Sequence, residues 1–396
     1  MLTVFLLRLL MFVTVRQNWT LTDSMKLMEE NLVIYKEILF FVFTNLEIMS
    51  NHYRKISIAN FRGFDHLIIN DFANVNVFVG ANNVGKTSIL EALFMLAGMS
   101  NPLMPARINY WRTLTAPTVD GVRYLFHNLD FSNKPILEAD MLTGVRKLTF
   151  TPVMANDDAD VTSSGMSSRS AIKQLDLDFD VIEGNGYTYH AKLYTDAGGN
   201  MQQMVDDSYR EDMNCLFVSA DKNDNNATSN FALLVKRNRK QEVVKALRNF
   251  DASIESVEAL PDGLFMKIKD VQELMPISMA GDGIRRMVNI LSTIANEDYH
   301  TVLIDEIDNG LHYSAHKCMW RTILDFARQR NVQIFVTTHN LDCLQGLKNV
   351  IQENDTFQEL VHVYNIAKTK NRGFQAYKYT YVELKEAIDN EIEIRR

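Results

Sequence analysis

Three short apolar runs predict strands that are buried on both faces of a sheet. They are Val75–Val79, Val302–Ile304 and Val332–Val336. Apolar runs of this length, bounded by polar residues, are typical of strands that other elements cover on both sides. The polar residues that follow each run are therefore expected at one edge of the sheet.

Helical and alternating patterns occupy the rest of the chain. The run Ser88–Leu96 predicts a helix, and Lys55–Ile58 predicts a strand. Leu175–Ile182 and Tyr187–Thr195 alternate on either side of turn residues, which predicts an antiparallel hairpin. An inserted lobe is completed by a strand, a helix and a second hairpin, predicted at 215–219, at about 231–249 and at about 261–263.

The first 48 residues differ from the rest of the chain. Their apolar runs, at 1–15 and 33–43, are shorter than the ~20 apolar residues that a membrane-spanning helix needs. The positive start and small-residue cleavage site of a secretory signal are also missing. We expect residues 1–48 to be a dispensable extension, with Met49 as an alternative start of translation.

Charge and cysteine content narrow the class of protein. The net charge of −8 argues against a surface that is basic all over, although a local basic stripe could still contact nucleic acid. The cysteines Cys215, Cys318 and Cys343 lie far apart and follow no metal-ligand spacing. A reducing compartment is therefore expected, which favours a cytoplasmic protein with no membrane partner.

The segment Gly80–Thr87 has the form of a P-loop between the first strand and its helix. Glycines let backbone N–H groups wrap closely around the phosphates of a nucleoside triphosphate. Lys86 then supplies a mobile cation, and Thr87 a hydroxyl for Mg²⁺. The predicted nucleotide-binding residues are Gly80, Asn82, Asn83, Gly85, Lys86 and Thr87.

Two carboxylates follow the strand Val302–Ile304. Asp305 is predicted to hold Mg²⁺ together with Thr87, directly or through water. Glu306 is predicted to be the general base that polarises the attacking water, and Lys86 is counted with it as catalytic. Acids at the ends of buried strands also occur for solvation alone, and that alternative stands beside the catalytic one.

A histidine follows the third apolar strand. His339 comes directly after Val332–Thr338, so it is expected at the same edge as the two acids. There it could sense the γ-phosphate as a third catalytic residue. The alternative is a structural role, which is the commoner one for a single histidine behind a strand.

With these motifs, residues 53–396 resemble ATPases with an ABC-type head, within the AAA-type group that includes RecF, SMC and OLD (overcoming lysogenization defect) proteins. The resemblance rests on Asn60–Phe64, Gly80–Thr87, Ser278–Arg286, Asp305–His312 and His339, in the order of that family. It implies an α/β fold: a P-loop NTPase of ABC-ATPase-head type with an antiparallel β lobe and an inserted α+β lobe. The expected division is 1–48 extension, 49–100 first part of the head, 101–270 inserted lobe and 271–396 second part of the head.

The resemblance also implies ATP and Mg²⁺ as cofactors, and a homodimer or higher homo-oligomer that forms through ATP. Ser278, Gly281 and Gly283 of one protomer would complete the γ-phosphate site of the other, with Asp308–His312 as the loop between sites. The family signature has its glycines directly after the serine, whereas Met279 and Ala280 intervene here. A helix N-cap with a glycine turn is the alternative for this segment.

Stand-alone ATPases of this kind resemble the partners of TOPRIM-type nucleases in bacterial antiphage systems. Fewer than sixty residues follow His339, too few for a fused nuclease domain, so any nuclease is expected to be a separate effector protein. The alternatives are a RecF/SMC-like ATPase for DNA repair or DNA binding, the nucleotide-binding subunit of an ABC transporter, and a scaffold that binds ATP without hydrolysing it.

Two further features have a functional and a structural interpretation. His312 and His316 are spaced to share a helix face and could bind zinc, but no third ligand accompanies them, which favours packing. The basic stretch Lys236–Lys240, with Lys245 and Arg248, predicts a basic helix. It could contact nucleic acid, or it could be a solvated face.

Overall fold

The structure is a computed structural model that describes residues 52–112, 120–141, 144–154, 172–182, 188–196, 200–220 and 226–394. The predictions for residues 1–48 and for the turn at 183–186 lie outside these residues. Within the described ranges, no helix combines the length and the apolar character needed to cross a membrane.

Strands come in consecutive runs in the first part of the chain and alternate with helices from about residue 282 to residue 353. The strands are β1 Tyr53–Phe61, β2 Phe64–Asn70, β3 Val75–Val79, β4 Ile136–Met141, β5 Val145–Met154, β6 Ile172–Ile182, β7 Thr188–Thr195, β8 Met201–Val205, β9 Cys215–Val218, β10 Ile254–Leu260, β11 Gly263–Ile268, β12 Met275–Pro276, β13 Thr301–Ile304, β14 Gln333–Thr337, β15 Val361–Thr369 and β16 Gly373–Tyr379. The helices are α1 Lys86–Ala97, α2 Met104–Trp111, α3 Asn226–Lys236, α4 Lys240–Arg248, α5 Asp282–Ile294, α6 His316–Arg330, α7 Leu341–Glu353 and α8 Tyr381–Asp389.

The central sheet has the strand order β16-β15-β3-β14-β13-β9. All neighbours pair in parallel except β15 and β16. Every residue of β3, β13 and β14 is buried, as their largely apolar character predicted. Because these strands are parallel, their carboxyl ends meet at one edge, and the P-loop and both predicted catalytic segments follow that edge.

A second, antiparallel sheet has the order β2-β1-β4-β5-β6-β7-β8. Its strands alternate between a buried and a more exposed face, so that Leu175, Leu177 and Phe179 enter the core while the aspartates between them do not. The predicted hairpin of β6 and β7 is confirmed by their antiparallel pairing. The prediction of an α/β fold with an antiparallel sheet is likewise confirmed.

Helix α1 joins the two sheets. All of its residues from Ser88 to Ala97 are buried, and its side chains share one core with the antiparallel sheet and with Phe78, Leu303 and Phe335 of the central sheet. A helix that is covered on both sides has little need of a polar face. The P-loop at its first turn is therefore held by two sheets at once.

Two sequence predictions need correction. The single helix predicted at about 231–249 is two helices, α3 and α4, because Asn238 between them has a left-handed backbone with φ of 58°. Strand β9, predicted within the inserted lobe, pairs in parallel with β13 and extends the central sheet. Which strands become neighbours in a parallel sheet depends on pairing between distant parts of the chain, and the local sequence pattern does not reveal that pairing. The division at 49–100, 101–270 and 271–396 stays a prediction.

A second core lies on the other side of the central sheet. Helices α3, α4 and α5 pack there with β10 and β11, whose antiparallel pairing confirms the second predicted hairpin. Helix α5 begins directly after Gly281 and runs back beneath β13. The segment that resembles a family signature therefore leads into a helix packed on the strand that carries Asp305 and Glu306.

Candidate active site at the P-loop

The P-loop joins β3 to α1 and needs glycine at two positions. Gly80 has a φ of 145°, and a Cβ added there would lie 2.4 Å from the carbonyl oxygen of Ile366. Gly85 has a φ of 98°, and its added Cβ would lie 2.5 Å from the ring of Phe64. Both backbone conformation and space therefore exclude a side chain. The loop is held closely between β15 and the antiparallel sheet.

Lys86 extends along the P-loop. Its ammonium donates hydrogen bonds to the carbonyl oxygens of Gly80 and Ala81, each at 2.9 Å. Partial burial lowers the pKa of this ammonium, while the nearby Asp305 and Glu306 act in the opposite direction. The cation is thus held at the mouth of the loop, near the two acids.

Thr87 and Asp305 lie against each other. The Thr87 hydroxyl donates to the Asp305 carboxylate, with Oγ1 at 3.0 Å from Oδ1 and 3.1 Å from Oδ2. Asp305 is only 8% exposed. Burial raises the pKa of its carboxyl group, and hydrogen bonds from Thr337 and Thr87 oppose that shift. Hydroxyl and carboxylate oxygens are ligands that Mg²⁺ prefers, so these two residues fit a magnesium ion.

Glu306 has an unusual backbone. Its φ is 46°, a left-handed conformation that side chains other than glycine seldom adopt. Its amide donates to the hydroxyl of Thr337 at 2.8 Å. The carboxylate is half-exposed, and its Oε1 lies 4.0 Å from Nδ1 of His339. The strained turn directs this acid into the cleft beside the P-loop.

The predicted residues meet in one cleft of about 710 Å³. Of the predicted site residues, the cleft is lined by Asn82, Asn83, Gly85, Lys86, Thr87, Asp305, Glu306 and His339. Gly80 supports the loop from behind, since it contacts β15. The structure therefore brings together the P-loop, the pair of acids and the histidine, in keeping with the positions predicted for them.

Two arginines of the cleft, and the buried glutamate that pairs with both, were missed as site residues in the sequence. Glu91, 1% exposed in the middle of α1, accepts from Arg62 at 2.9 Å and from Arg112 at 2.6 Å. Both arginines line the cleft. Glu91 interrupts an otherwise apolar helix, and a buried carboxylate needs charged or polar partners. That interruption is the signal that could have pointed to them.

The signature residues lie elsewhere. Ser278 belongs to a short 3₁₀ turn at 277–279, and Gly281 occupies the N-cap position of α5, as the N-cap alternative describes. An added Cβ at Gly283 would lie 3.1 Å from the carbonyl oxygen of Gly310, so this helix start packs closely on the loop after Glu306. Ser278 lines a separate pocket of about 270 Å³ with Asp282 and Gly310. The P-loop cleft is lined by none of Ser278, Gly281 and Gly283.

The structure favours the structural interpretation of the histidine pair and of the basic stretch 236–240. His316 is buried where α6 crosses Gly346 of α7, and His312 caps a 3₁₀ turn. Among the described residues, no group of three or more metal-binding side chains is assembled. The basic stretch is matched by acids: Arg237 pairs with Asp298 and Lys240 with Glu258.

Comparison with known proteins identifies the family. A family model described as an AAA ATPase domain matches residues 53–109 and 199–344, which together make up just over half of the chain. The chain belongs to this family. With the P-loop cleft at its centre, it is an ATPase.

Individual relatives are similar over different lengths. An ATP/GTP phosphatase of Helicobacter pylori is 27% identical over 330 residues, which cover 76% of this chain and 89% of that protein. The DNA replication and repair protein RecF of Geobacter sulfurreducens is 44% identical over 50 residues, 13% of this chain and 14% of RecF. RecF of Lysinibacillus sphaericus is 39% identical over 46 residues, 12% of each chain.

Solved structures of SMC heads match the chain with lower sequence identity. An SmcHead bound to the C-winged helix domain of ScpA gives a TM-score of 0.45 at 12% identity, covering 85% of this chain and 99% of that one. The SMC head domain of Thermotoga maritima gives 0.37 at 12% identity, covering 83% and 99%. These scores are low, and the strand order and P-loop of the chain itself define its fold.

Proposed function

We propose that this ATPase is a switch in which two copies close on ATP and reopen after hydrolysis, and that the closed form controls a separate effector protein. The observation that supports the proposal is that the residues expected to complete the nucleotide site lie outside it. The P-loop cleft is lined by none of Ser278, Gly281 and Gly283. A second copy could bring these residues to the nucleotide. Isologous association of this kind is the commonest way for two copies to complete each other.

Exposed apolar side chains next to Ser278 support this arrangement. Met279 is 72% exposed, and Tyr313, in the 3₁₀ turn that follows the loop Asp308–His312, is 65% exposed. Met279 precedes the N-cap Gly281 by two residues, and Gly310, three residues before Tyr313, packs on Asp282 and Gly283 in the first turn of α5. Large apolar residues around a polar site are typical of a surface that a partner covers. The proposed interface is the surface formed by Ser278, Met279 and Tyr313.

The residues of the cleft fit hydrolysis by in-line attack of water on the γ-phosphorus. Glu306 orients the water and accepts its proton as the bond between phosphorus and the ADP oxygen breaks. Lys86 balances the negative charge that develops on the phosphate oxygens. His339, 4.0 Å from Glu306, limits the positions that the carboxylate can take and senses the γ-phosphate. Mg²⁺, held by Thr87 and Asp305, supplies further neutralisation of phosphate charge when it is bound.

Mixing two inactive variants tests whether the site is shared. Lys86→Ala removes the cation of the P-loop, and Ser278→Arg places a bulky charge at an exposed position of the proposed interface. Each protein alone should lose hydrolysis. An equal mixture should regain up to about a quarter of the parental rate, since half of the pairs contain one intact composite site. A mixture as inactive as its components, although both bind each other, would contradict a shared site.

The effector that we propose is a nuclease of the TOPRIM type, in a cytoplasmic antiphage system. The support is the resemblance of the motifs to those of stand-alone ATPases. Phage plating on cells that carry the chain with its neighbouring genes tests this, with Lys86→Ala as the inactive control. Protection that is lost with Lys86→Ala supports the proposal, and equal plating in both strains opposes it.

A RecF/SMC-like role in DNA repair or DNA binding is the second candidate. The favouring observation is the match to RecF proteins, although it extends over only 46 to 50 residues. Hydrolysis measured with and without double-stranded DNA separates the candidates. A DNA-stimulated rate in the absence of any nuclease favours the repair role, whereas an unchanged rate favours the effector switch.

A further inference from the structure

Arg286 connects the start of α5 to the ends of two strands of the central sheet. Its guanidinium donates to the carbonyl oxygen of Ser219, directly after β9, and to that of Asp305, directly after β13. A further hydrogen bond, at 3.3 Å, reaches the carbonyl oxygen of Glu306. One half-buried side chain thus holds the peptide groups before and after the Cα of Glu306.

The backbone that Arg286 holds is the strained one. Glu306 adopts a φ of 46°, and such a conformation persists only where neighbouring groups fix it. The Glu306 amide is held by Thr337 at 2.8 Å, on the β14 side. Its carbonyl group is held by Arg286, on the α5 side. The direction of the Glu306 carboxylate therefore depends on two anchors from different elements.

The same helix carries the residues that face the proposed partner. Gly281 precedes α5, and Gly283 in its first turn packs on Gly310. Arg286 follows one turn later, so a movement of the helix start would move its guanidinium too. Because the helix is rigid, binding of a partner at its start can change the position of the backbone that Arg286 holds at the end of β13.

We propose that Arg286 is a positioning residue for Glu306, and that it makes hydrolysis depend on contact at the start of α5. The inference rests on the proposed role of Glu306 as general base. The hydrogen bonds of Arg286 to Ser219, Asp305 and Glu306 all end on backbone carbonyl oxygens. Arg286 acts on Glu306 through the backbone, and we expect its loss to leave nucleotide binding nearly unchanged.

The experiment measures steady-state ATP hydrolysis by Arg286→Ala and Arg286→Lys in the full chain. For Arg286→Ala we expect kcat to fall by at least about tenfold, because a small misplacement of a catalytic group has effects of this size. KM for ATP and the affinity for a fluorescent ATP analogue should stay within about twofold of the parent. Arg286→Lys keeps one charged donor and should give an intermediate kcat with the same KM.

Two comparisons separate positioning from a general loss of structure. Arg237→Ala removes an exposed arginine that follows α3 and donates to Asn296 and Asp298 at 2.7–3.0 Å. This control should leave kcat within about twofold. The second comparison is a double-mutant cycle: in the Glu306→Gln background, Arg286→Ala should change the residual rate less than about twofold, because the group it positions is already gone.

The outcomes distinguish the two claims. If Glu306→Gln is inactive while Arg286→Ala keeps the parental kcat, the positioning role is wrong and the base assignment stands. An equal fall in the parent and in the Glu306→Gln background likewise overturns it. If Glu306→Gln itself hydrolyses ATP at the parental rate, the role of Glu306 is wrong. Should Arg286→Ala fail to fold, Arg286→Lys decides by the same kcat and KM criteria.

Discussion

Thr337 holds Asp305 through its hydroxyl, with Oγ1 at 2.6 Å from Oδ1 of the carboxylate. The same hydroxyl accepts the amide hydrogen of Glu306 at 2.8 Å. One side chain at the end of β14 therefore fixes both acids at the end of β13. Thr338 repeats the arrangement one residue later, because its hydroxyl donates to Asp308 at 2.7 Å. The hydroxyl groups of Thr337 and Thr338 therefore link the end of β14 to the segment that follows β13.

Replacing Thr337 by valine keeps the shape of the side chain and removes the hydroxyl. We expect the free energy of unfolding to fall by about 1–3 kcal/mol, because a buried carboxylate and a buried amide each lose a partner. We also expect kcat to fall by about tenfold or more, since both acids are freed. Urea unfolding and steady-state hydrolysis measure the two effects.

Thr301→Val is the matched control. Thr301 lies fully buried at the start of the neighbouring strand β13, and its hydroxyl has no hydrogen-bond partner among the described residues. Valine there should leave stability unchanged or raise it slightly. If Thr337→Val were as harmless as Thr301→Val, the hydroxyl bridge would have no part in holding the acids.

The buried Glu91 should contribute strongly to stability. Glu91→Gln leaves Arg62, itself largely buried, facing a neutral group, and breaking a buried ion pair typically costs about 3–5 kcal/mol. A smaller effect, under about 1 kcal/mol, is expected for Asp140→Asn, because both members of the Lys55–Asp140 pair are partly exposed and 3.4 Å apart. Urea unfolding of the two variants compares a buried pair with a partly exposed one. Equal losses would mean that burial does not strengthen the Glu91 pair.

Gly281→Ser tests the interface without disturbing the protomer. An added Cβ at Gly281 has no atom within 4 Å, and serine is favoured at an N-cap position. Stability and ATP binding should therefore stay unchanged. Hydrolysis at dilute protein should fall several-fold if this surface meets a partner's nucleotide. Unchanged hydrolysis at all protein concentrations would argue that the surface stays open in the active form.

Much of the fold could be predicted, because the strands β3, β13 and β14 are buried on both faces and therefore mostly apolar. The place of β9 could not, since it depends on pairing with a strand more than eighty residues away. The left-handed Asn238 that divides α3 from α4 left only a weak local signal.

The site was predictable to a similar degree. The P-loop, Asp305, Glu306 and His339 follow apolar strands, and their convergence follows from parallel pairing. Arg112 was not singled out, because its partner Glu91 lies 21 residues away and only the fold brings them together. Arg286 ends the segment Ser278–Arg286 that carries the resemblance, but it was not predicted as a site residue, because its acceptors are backbone carbonyls that carry no sequence signal.

His52 should make the protein less stable in acid. Burial lowers the pKa of its imidazole to about 4; the hydrogen bond to Asn331 opposes this shift, and His300 adds to it. Nε2 donates to the carbonyl oxygen of Asn331 at 2.8 Å, as the neutral ring can. Below pH 6.5, the ordinary pKa of histidine, His52 becomes protonated in the unfolded chain, whereas in the folded chain it stays neutral down to about pH 4. Stability from this group is therefore present at neutral pH and lost as the pH falls from about 6.5 to about 4, by about 3 kcal/mol in total.

Comparison of the parent with His52→Gln isolates this contribution. Glutamine can still donate to Asn331 but does not titrate. Urea unfolding at about pH 7 and about pH 4.5 should show a smaller loss of stability for the variant than for the parent. Identical losses in both proteins would mean that His52 is protonated in the folded state as readily as in the unfolded one.

The central claim, that ATP closes two copies on each other, is tested most directly by light scattering on Glu306→Gln protein. The variant keeps the P-loop, Thr87 and Asp305, so it should bind ATP and Mg²⁺ but hydrolyse ATP too slowly to reopen. We predict that ATP with Mg²⁺ raises its mass from 45.4 kDa to twice that value, and that ADP does not. A protein that binds ATP and yet keeps the same mass with ATP as with ADP would contradict the switch.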